Sequence, residues 1–374
     1  MWSVELANSI MKQFPNLEDY KCLSIMKSHH NMWSYVHGVY LKGLEAVWKG
    51  TNDPKYFDYI KRNMDAIINE ECEIRDYVME EFNIDFINNA KVPLMLYKET
   101  GEERYKKAIQ KVRYQLNYHP KTADGVYWHK LIYPYQIWLD GLYMGGPFLN
   151  EYISLFGDES EYDFLAHQFK TAYQRLHDER TGLLYHAYDE RKVQKWCDPV
   201  TGLSKSFWTR SIGWTIMALV DVLETFPKVH KDREELHGLL IKILSALRTY
   251  QHESGCWYQV TDQGGREGNY LESSGTCMVL YTLMKGIRLG LLDPTWKEMA
   301  DRTYQGIIEN FITKDPDGKV EINGICSGAG LGQPDHRDGS FEYYCNEPIV
   351  KNDFKGIGAF LMAAAEVELL QQTA

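Results

Sequence analysis

"GTNDPKYFDYIKR" (residues 50–62) and "ETGEERYKKAIQK" (99–111) share one plan: a short polar turn, a tyrosine, then a charged helical pattern. "FGDESEYDFLAHQFK" (156–170) repeats it, and "GLLDPTWKEMADRTY" (290–304) does so with Trp296 in the tyrosine position. Tyr56, Tyr105 and Tyr162 are separated by 49 and 57 residues. Self-similarity at such a period predicts a repeated helical hairpin. The segments between these have the opposite character: 35–49, 84–99, 137–156, 207–226, 270–290 and 352–370 are apolar or small almost all round. Helices of that kind are buried, whereas those charged on one face lie outside. Outer partners follow the first five buried segments, and residues 3–14 can serve the sixth. Twelve helices in alternating inner and outer rings predict an all-α (α/α)6 barrel, formed by residues 1–374 as a single domain. Gly43, Gly145, Gly213, Gly275 and Gly358 fall inside the buried set, each costing about 1 kcal/mol against Ala. Close helix packing, or backbone approach to a ligand, is a reason to keep them.

Composition narrows the function. Of 374 residues, 44% are hydrophobic and 25% charged, as in soluble globular proteins. A net charge of −11 argues against a nucleic-acid partner, which needs a basic surface. No transmembrane-length apolar run and no secretory leader are visible, so a cytoplasmic enzyme without a membrane partner is expected. The seven cysteines are scattered without CxxC spacing, which favours free thiols over a zinc site or disulfide framework. The 26 Tyr and 10 Trp are unusual. Rings in this abundance suit the flat faces of sugars, although any one of them alone is more simply core packing.

Three loops between an outer helix and the next inner one also resemble each other: "ADGVYWH" (123–129), "RTGLLYHAYDE" (180–190) and "ESGCWYQVTD" (253–262). Each has a glycine turn followed by an alternating aromatic run that favours extended structure. In an alternating ring they share one rim. They can wall a pocket mouth, cover the barrel end as hairpins, or do both.

Against that rim stands "YPYQIWLDGLYMGGPF" (133–148), with five aromatic rings and a single charge, Asp140. Asp140 falls at the start of the third inner helix, and Asp85 at the matching point of the second. Either could be a helix N-terminal acid favoured by the dipole. The rings around Asp140 point instead to catalysis. An aspartate at its reference pKa is protonated only about once in a thousand at pH 7. Burial and a second carboxylate favour the proton. Such a pair suits acid–base chemistry on a glycoside.

"GVYWHK" (125–130), the 133–148 run, "LYHAYDE" (184–190), "FWTRSIGW" (207–214) and "NYLESSG" (269–275) resemble the motifs of unsaturated rhamnogalacturonyl hydrolases, glycoside hydrolase family 105. Segments 33–48 and 352–366 fit as well, so the resemblance spans almost the whole chain. It implies the (α/α)6 barrel and a pectin-derived oligosaccharide ending in a Δ4,5-unsaturated uronic acid. It also implies hydration of the C4=C5 bond: an aspartate protonates C4, water adds at C5, and the adduct opens to release the next sugar, usually rhamnose. By match to the motifs, Asp140 is the acid–base residue and Asp85 the second carboxylate. Tyr35, His129, Trp138, His186, Trp208, Arg210 and Trp214 match sugar-pocket positions.

The residue chemistry agrees. The substrate that the resemblance implies is an anion and the protein is acidic, so a local cation is required; Arg210 offers a planar fork, or else pairs with an inner-helix acid. Lys130 reads as a solvated charge. No His/Asp/Glu spacing suggests a metal, and neither metal nor organic cofactor is expected. Segment 327–353 does not match the family pattern closely; it is expected to form part of the pocket wall and the leaving-sugar subsite. An unsaturated glucuronyl hydrolase, a sugar epimerase or isomerase using His129 and His186, and a noncatalytic sugar binder remain as alternatives. The chain is expected to be a monomer or weak homodimer.

Overall fold

A computed structural model describes residues 1–23, 30–333 and 336–373. Helices alternate between two concentric rings. The inner ring is α2 (Tyr35–Thr51), α4 (Asp85–Asn89) continued by α5 (Lys91–Thr100), α7 (Leu139–Phe156), α9 (Thr209–Thr225), α11 (Ser273–Arg288) and α14 (Phe354–Thr373). Each packs on its neighbours in that order, and α14 closes the ring against α2. The outer ring is α1 (Trp2–Gln13), α3 (Pro54–Asp65), α6 (Glu103–Tyr118), α8 (Glu161–Leu176), α10 (Arg233–Thr249) and α12 (Lys297–Phe311). The fold is therefore the (α/α)6 barrel expected from the repeat, and α1 takes the sixth outer place.

The polar turn that defines the repeat has a local cause. α2 ends at Asn52, whose φ of 55° is left-handed, and the Asn52 N–H bonds the carbonyl of Trp48. Asp53 then caps α3 by accepting from the Lys55 N–H, with Pro54 at the first helical position. At the next repeat Gly101 supplies the left-handed residue, with φ 71°. Tyr56, Tyr105 and Tyr162 sit in the first turns of their outer helices and are buried, which fixes each outer helix against the inner ring.

The second inner helix is not continuous over 84–99. It breaks at Ala90 between α4 and α5. Pro93 lacks an N–H and its ring collides with the carbonyl four residues back, that of Asn89, so the first segment ends there.

Glycines set the spacing of the inner ring where it closes. A β-carbon on Gly358 would lie 2.4 Å from the carbonyl oxygen of Val39, and one on Gly43 would lie 3.0 Å from the Gly358 Cα. Backbone cannot yield there as a flexible side chain can. Gly358→Ala is expected to lower stability by about 1–3 kcal/mol through overpacking. Denaturant unfolding of the purified variant measures it; a midpoint equal to that of the parent would mean that α2 and α14 can separate freely.

One end of the barrel carries the rim loops, and these are stitched in sequence order. β1 (Gln136–Trp138) pairs antiparallel with β2 (Ala187–Asp189), Trp138 standing opposite Ala187. Single antiparallel bridges join Asn83 to Lys130, Trp208 to Val260 and Tyr258 to Leu271. Each rim loop thus pairs with the residues that lead into an inner helix. All seven cysteines are free.

Candidate active site

α7 begins directly after β1, so Asp140 stands in its first turn. The β1–β2 register carries on by one residue: the Leu139 N–H donates to the His186 carbonyl over 3.0 Å. That delivers the His186 ring to Asp140, with Nε2 3.1 Å from Oδ2. The same device occurs one repeat earlier. The Ile84 N–H donates to the His129 carbonyl over 3.1 Å, and Asp85 follows as the first residue of α4. There His129 Nε2 lies 3.5 Å from Asp85 Oδ1 and Lys130 Nζ 2.6 Å from Oδ2. One repeat later the Thr209 N–H donates to the Gln259 carbonyl over 3.1 Å, and the next residue is Arg210. Asp85, Asp140 and Arg210 therefore occupy equivalent places at the starts of three successive inner helices.

All three line one cavity of about 650 Å³, together with Tyr35, His129, Trp138, Trp208 and Trp214. His186 is the exception among the expected pocket residues. It is 0% exposed and lies behind Asp140, bonded through Nδ1 to the Tyr344 hydroxyl at 2.7 Å. Asp140 itself keeps 15% of its side chain exposed, toward the cavity it lines.

The cavity walls are stacked rings. His129 lies parallel to Trp138 at 4.6 Å between centroids, and Tyr133 stacks on the same indole at 4.7 Å. Trp214 is fully buried against Tyr143, 4.6 Å away. Burial lowers the His129 pKa to about 4, so its ring is neutral at pH 7. Burial first, and then the neighbouring Asp85 carboxylate, raise the Tyr35 phenol well above its ordinary range, and it keeps its proton.

Lys130 is not a solvated charge. The bridge from Asn83 turns it inward, where it is 4% exposed and paired with Asp85. Asp85 is thus a carboxylate whose charge is largely offset by a buried ammonium.

Arg210 is 1% exposed, with its guanidinium 4.9 Å from the Trp208 ring centroid. Among the described residues no carboxylate lies within ion-pair reach of it. Its Nη2 donates to the Cys326 carbonyl, while Nε and Nη1 have no hydrogen-bond partner. A buried guanidinium with two unused donors is costly unless a ligand takes them up. It lines the cavity, so an anion bound there can accept both.

Segment 327–353 forms one wall, as expected: Ser327–Gly330, Arg337, Tyr343 and Glu347 face the cavity; residues 334 and 335 lie outside the described part. Arg337, Tyr133 and Tyr344 were not singled out from the sequence. Tyr133 stood in the aromatic run around Asp140, and that run was its signal. Tyr344 carried none, because its partner His186 is 158 residues away.

One group of side chains among the described residues has a metal-like arrangement: Asp163, His230 and Asp232. None of them lines the cavity. Lys231 pairs with Asp163 at 2.8 Å and Lys170 with Asp232 at 2.7 Å, so lysines already balance both carboxylates.

Comparison with known proteins identifies the family. The family model described as Glycosyl Hydrolase Family 88 matches residues 2–371. A glycoside hydrolase from family 105 of C. acetobutylicum ATCC 824 is 47% identical, with a TM-score of 0.93 over 98% of this chain and 99% of its own. The chain belongs to the family 88/105 glycoside hydrolases. Two further proteins are similar to it. The unsaturated rhamnogalacturonyl hydrolase YesR of Bacillus subtilis is 26% identical over 263 residues, which is 69% of this chain and 72% of its own. The unsaturated glucuronyl hydrolase of Bacillus sp. GL1 is 15% identical, with a TM-score of 0.70 over 99% of this chain and 94% of its own, and shares the fold. This family 88/105 member is a glycoside hydrolase, and its substrate class is an oligosaccharide. No helix among its described residues is long and apolar enough to cross a membrane.

Proposed function

We propose that this family 88/105 hydrolase removes a Δ4,5-unsaturated galacturonic acid from the non-reducing end of rhamnogalacturonan oligosaccharides by hydrating the C4=C5 bond. The observation that carries the proposal is the joint placement of Asp140, Asp85 and an under-bonded Arg210 at equivalent helix starts around one aromatic cavity. Arg210 takes the uronate carboxylate through its two unused donors. The stack of His129, Trp138 and Tyr133 offers a flat face to the sugar ring. Protonated Asp140 gives its proton to C4, and positive charge develops at C5, where the ring oxygen spreads it. Water adds at C5 and returns a proton to the Asp140 carboxylate, which restores the acid. The C5 adduct opens, and the exposed C1 centre then releases the leaving sugar. Asp85, held by Lys130 and His129, is placed to accept from sugar hydroxyls. The identity with YesR supports rhamnose as the leaving sugar. We take the protein to work as a monomer or weak homodimer, in the cytoplasm.

An isomerase that shuttles protons between His129 and His186 fits less well. His186 does not line the cavity, and each histidine is committed to its own carboxylate.

Labelling distinguishes hydration from ordinary displacement. In heavy-oxygen water, hydration puts solvent oxygen at C5 and none at C1 of the uronate. In deuterated water it puts deuterium at C4. Both are read by mass spectrometry and NMR on unsaturated rhamnogalacturonan disaccharide. Solvent oxygen at C1 with no deuterium at C4 would replace this mechanism with attack at the anomeric carbon. Running unsaturated disaccharides with different reducing-end sugars side by side tests the leaving group.

A further inference from the structure

Tyr344 belongs to α13 (Phe341–Asn346), in the segment that walls the cavity, and is fully buried. Its hydroxyl lies 2.7 Å from His186 Nδ1, and His186 Nε2 lies 3.1 Å from Asp140 Oδ2. The three groups form a line running from the protein interior to the catalytic carboxylate. His186 is 0% exposed, so water cannot compete for either nitrogen. A neutral imidazole in this position has two choices. With its proton on Nδ1, it donates to Tyr344 and leaves the phenol hydrogen without an acceptor. With its proton on Nε2, it accepts from the phenol and donates to Asp140, and every polar hydrogen in the line is used. Unsatisfied buried donors are strongly disfavoured, so the second arrangement wins. Burial raises Tyr344 well above the ordinary phenol range, which keeps its hydrogen in place as a donor.

We infer that Tyr344 is a positioning residue that holds His186 as the Nε2–H tautomer, so that Asp140 Oδ2 is permanently occupied as an acceptor and the reacting proton is confined to Oδ1. The consequence for the proposed hydration, on which this inference rests for its kinetic part, is directional. The acid can deliver its proton only from the oxygen left to the cavity, and the ionised form that remains is stabilised by the imidazole N–H. Without Tyr344 the imidazole is free to take the Nδ1–H form. Nε2 then becomes an acceptor and draws the Asp140 proton onto Oδ2, away from substrate.

The charged and titratable groups that face this corner are Tyr35 of α2, Asp85 of α4 with Lys130 and His129 of the rim loop, Arg210 of α9, Cys326, and Arg337 and Tyr343 of the wall segment. Tyr344→Phe leaves all of them in place and removes one hydroxyl.

The test combines a spectroscopic and a kinetic arm. The full-length protein is labelled with 15N-histidine, and the His186 signals are assigned by their loss in His186→Gln. Long-range proton–nitrogen correlation at pH 7 should show His186 protonated at Nε2 in the wild type. In Tyr344→Phe the Nδ1–H form should gain population. With unsaturated rhamnogalacturonan disaccharide, kcat should fall about tenfold or more while KM stays within about threefold. The basic limb of the pH–rate profile should move to higher pH, because the carboxylate loses its fixed donor. Wild-type His186 protonated at Nδ1 would overturn the inference whatever the substrate proves to be, and that measurement does not depend on the variant folding. A folded Tyr344→Phe with unchanged kcat and an unmoved basic limb would overturn it too. An Nε2–H wild type that does not hydrate the disaccharide would leave the tautomer lock standing and remove the proposed reaction instead.

Discussion

Asp140→Asn is expected to fold as the parent does and to lose between about a hundredfold and ten-thousandfold in turnover, the usual worth of a general acid–base group. The fold should survive because the amide oxygen can take over the hydrogen bond that the side chain makes with His186 Nε2 among the described residues. The variant adds no volume, and the side chain is partly open to the cavity, so no buried charge is stranded. Turnover should collapse because an amide cannot hold and release a proton in the relevant range. The loss should appear in kcat with KM little changed, since the sugar contacts proposed for Arg210 and the ring walls are left in place. The measurement is steady-state hydration of unsaturated rhamnogalacturonan disaccharide, with the unfolding midpoint as the control. Activity within about tenfold of the parent, only about 1.4 kcal/mol of barrier, would remove Asp140 from the chemistry.

Asp140 could be picked out from sequence because its neighbours were wrong for an ordinary acid. One charge among five rings on a predicted inner helix is a local anomaly, and local anomalies survive in a single chain. The barrel was readable for a related reason. Its repeat is written in turn chemistry, as in Asn52-Asp53-Pro54 and Gly101, and in tyrosines that recur just after each turn. The break at Ala90 had a signal too, in Pro93, but a proline in the middle of a largely apolar segment is easily read as part of one buried helix. Lys130 and Tyr344 are different. Their burial is decided by pairings between segments remote in the chain, Asn83 with Lys130 and His186 with Tyr344, and no window of sequence contains both partners. A lysine next to a rim histidine looks solvated until the strand bridge that turns it inward is known. The equivalence of Asp85, Asp140 and Arg210 was half visible: the two aspartates align at helix starts, but the shared N–H to carbonyl bond that places each beside its rim loop belongs to the folded backbone.

Asp85→Asn is expected to cost about 3–5 kcal/mol of stability, far more than a surface aspartate would, because it strands a buried ammonium. Lys130 is 4% exposed and its Nζ lies 2.6 Å from Asp85 Oδ2. Removing the carboxylate leaves a cation facing His129 and, beyond it, Asp140. Positive charge favours the ionised form of a nearby carboxylic acid, so less of the acid is protonated at a given pH. The basic limb of the pH–rate profile should therefore move to lower pH, with a lower rate at its maximum. Lys130→Met should also destabilise, by leaving the Asp85 carboxylate buried without its partner. The double variant Asp85→Asn/Lys130→Met restores the local charge balance. It should lose markedly less stability than the two single costs summed, by roughly 0.5–3 kcal/mol of coupling, and its basic limb should return toward that of the parent. Urea unfolding of the four proteins closes the cycle, and pH–rate profiles of those that remain active supply the second readout. Additive stability costs, together with a basic limb that stays put in an active Asp85→Asn, would mean that the pair neither supports the fold nor acts on Asp140. In that case Asp85 would matter only for the sugar hydroxyls it meets.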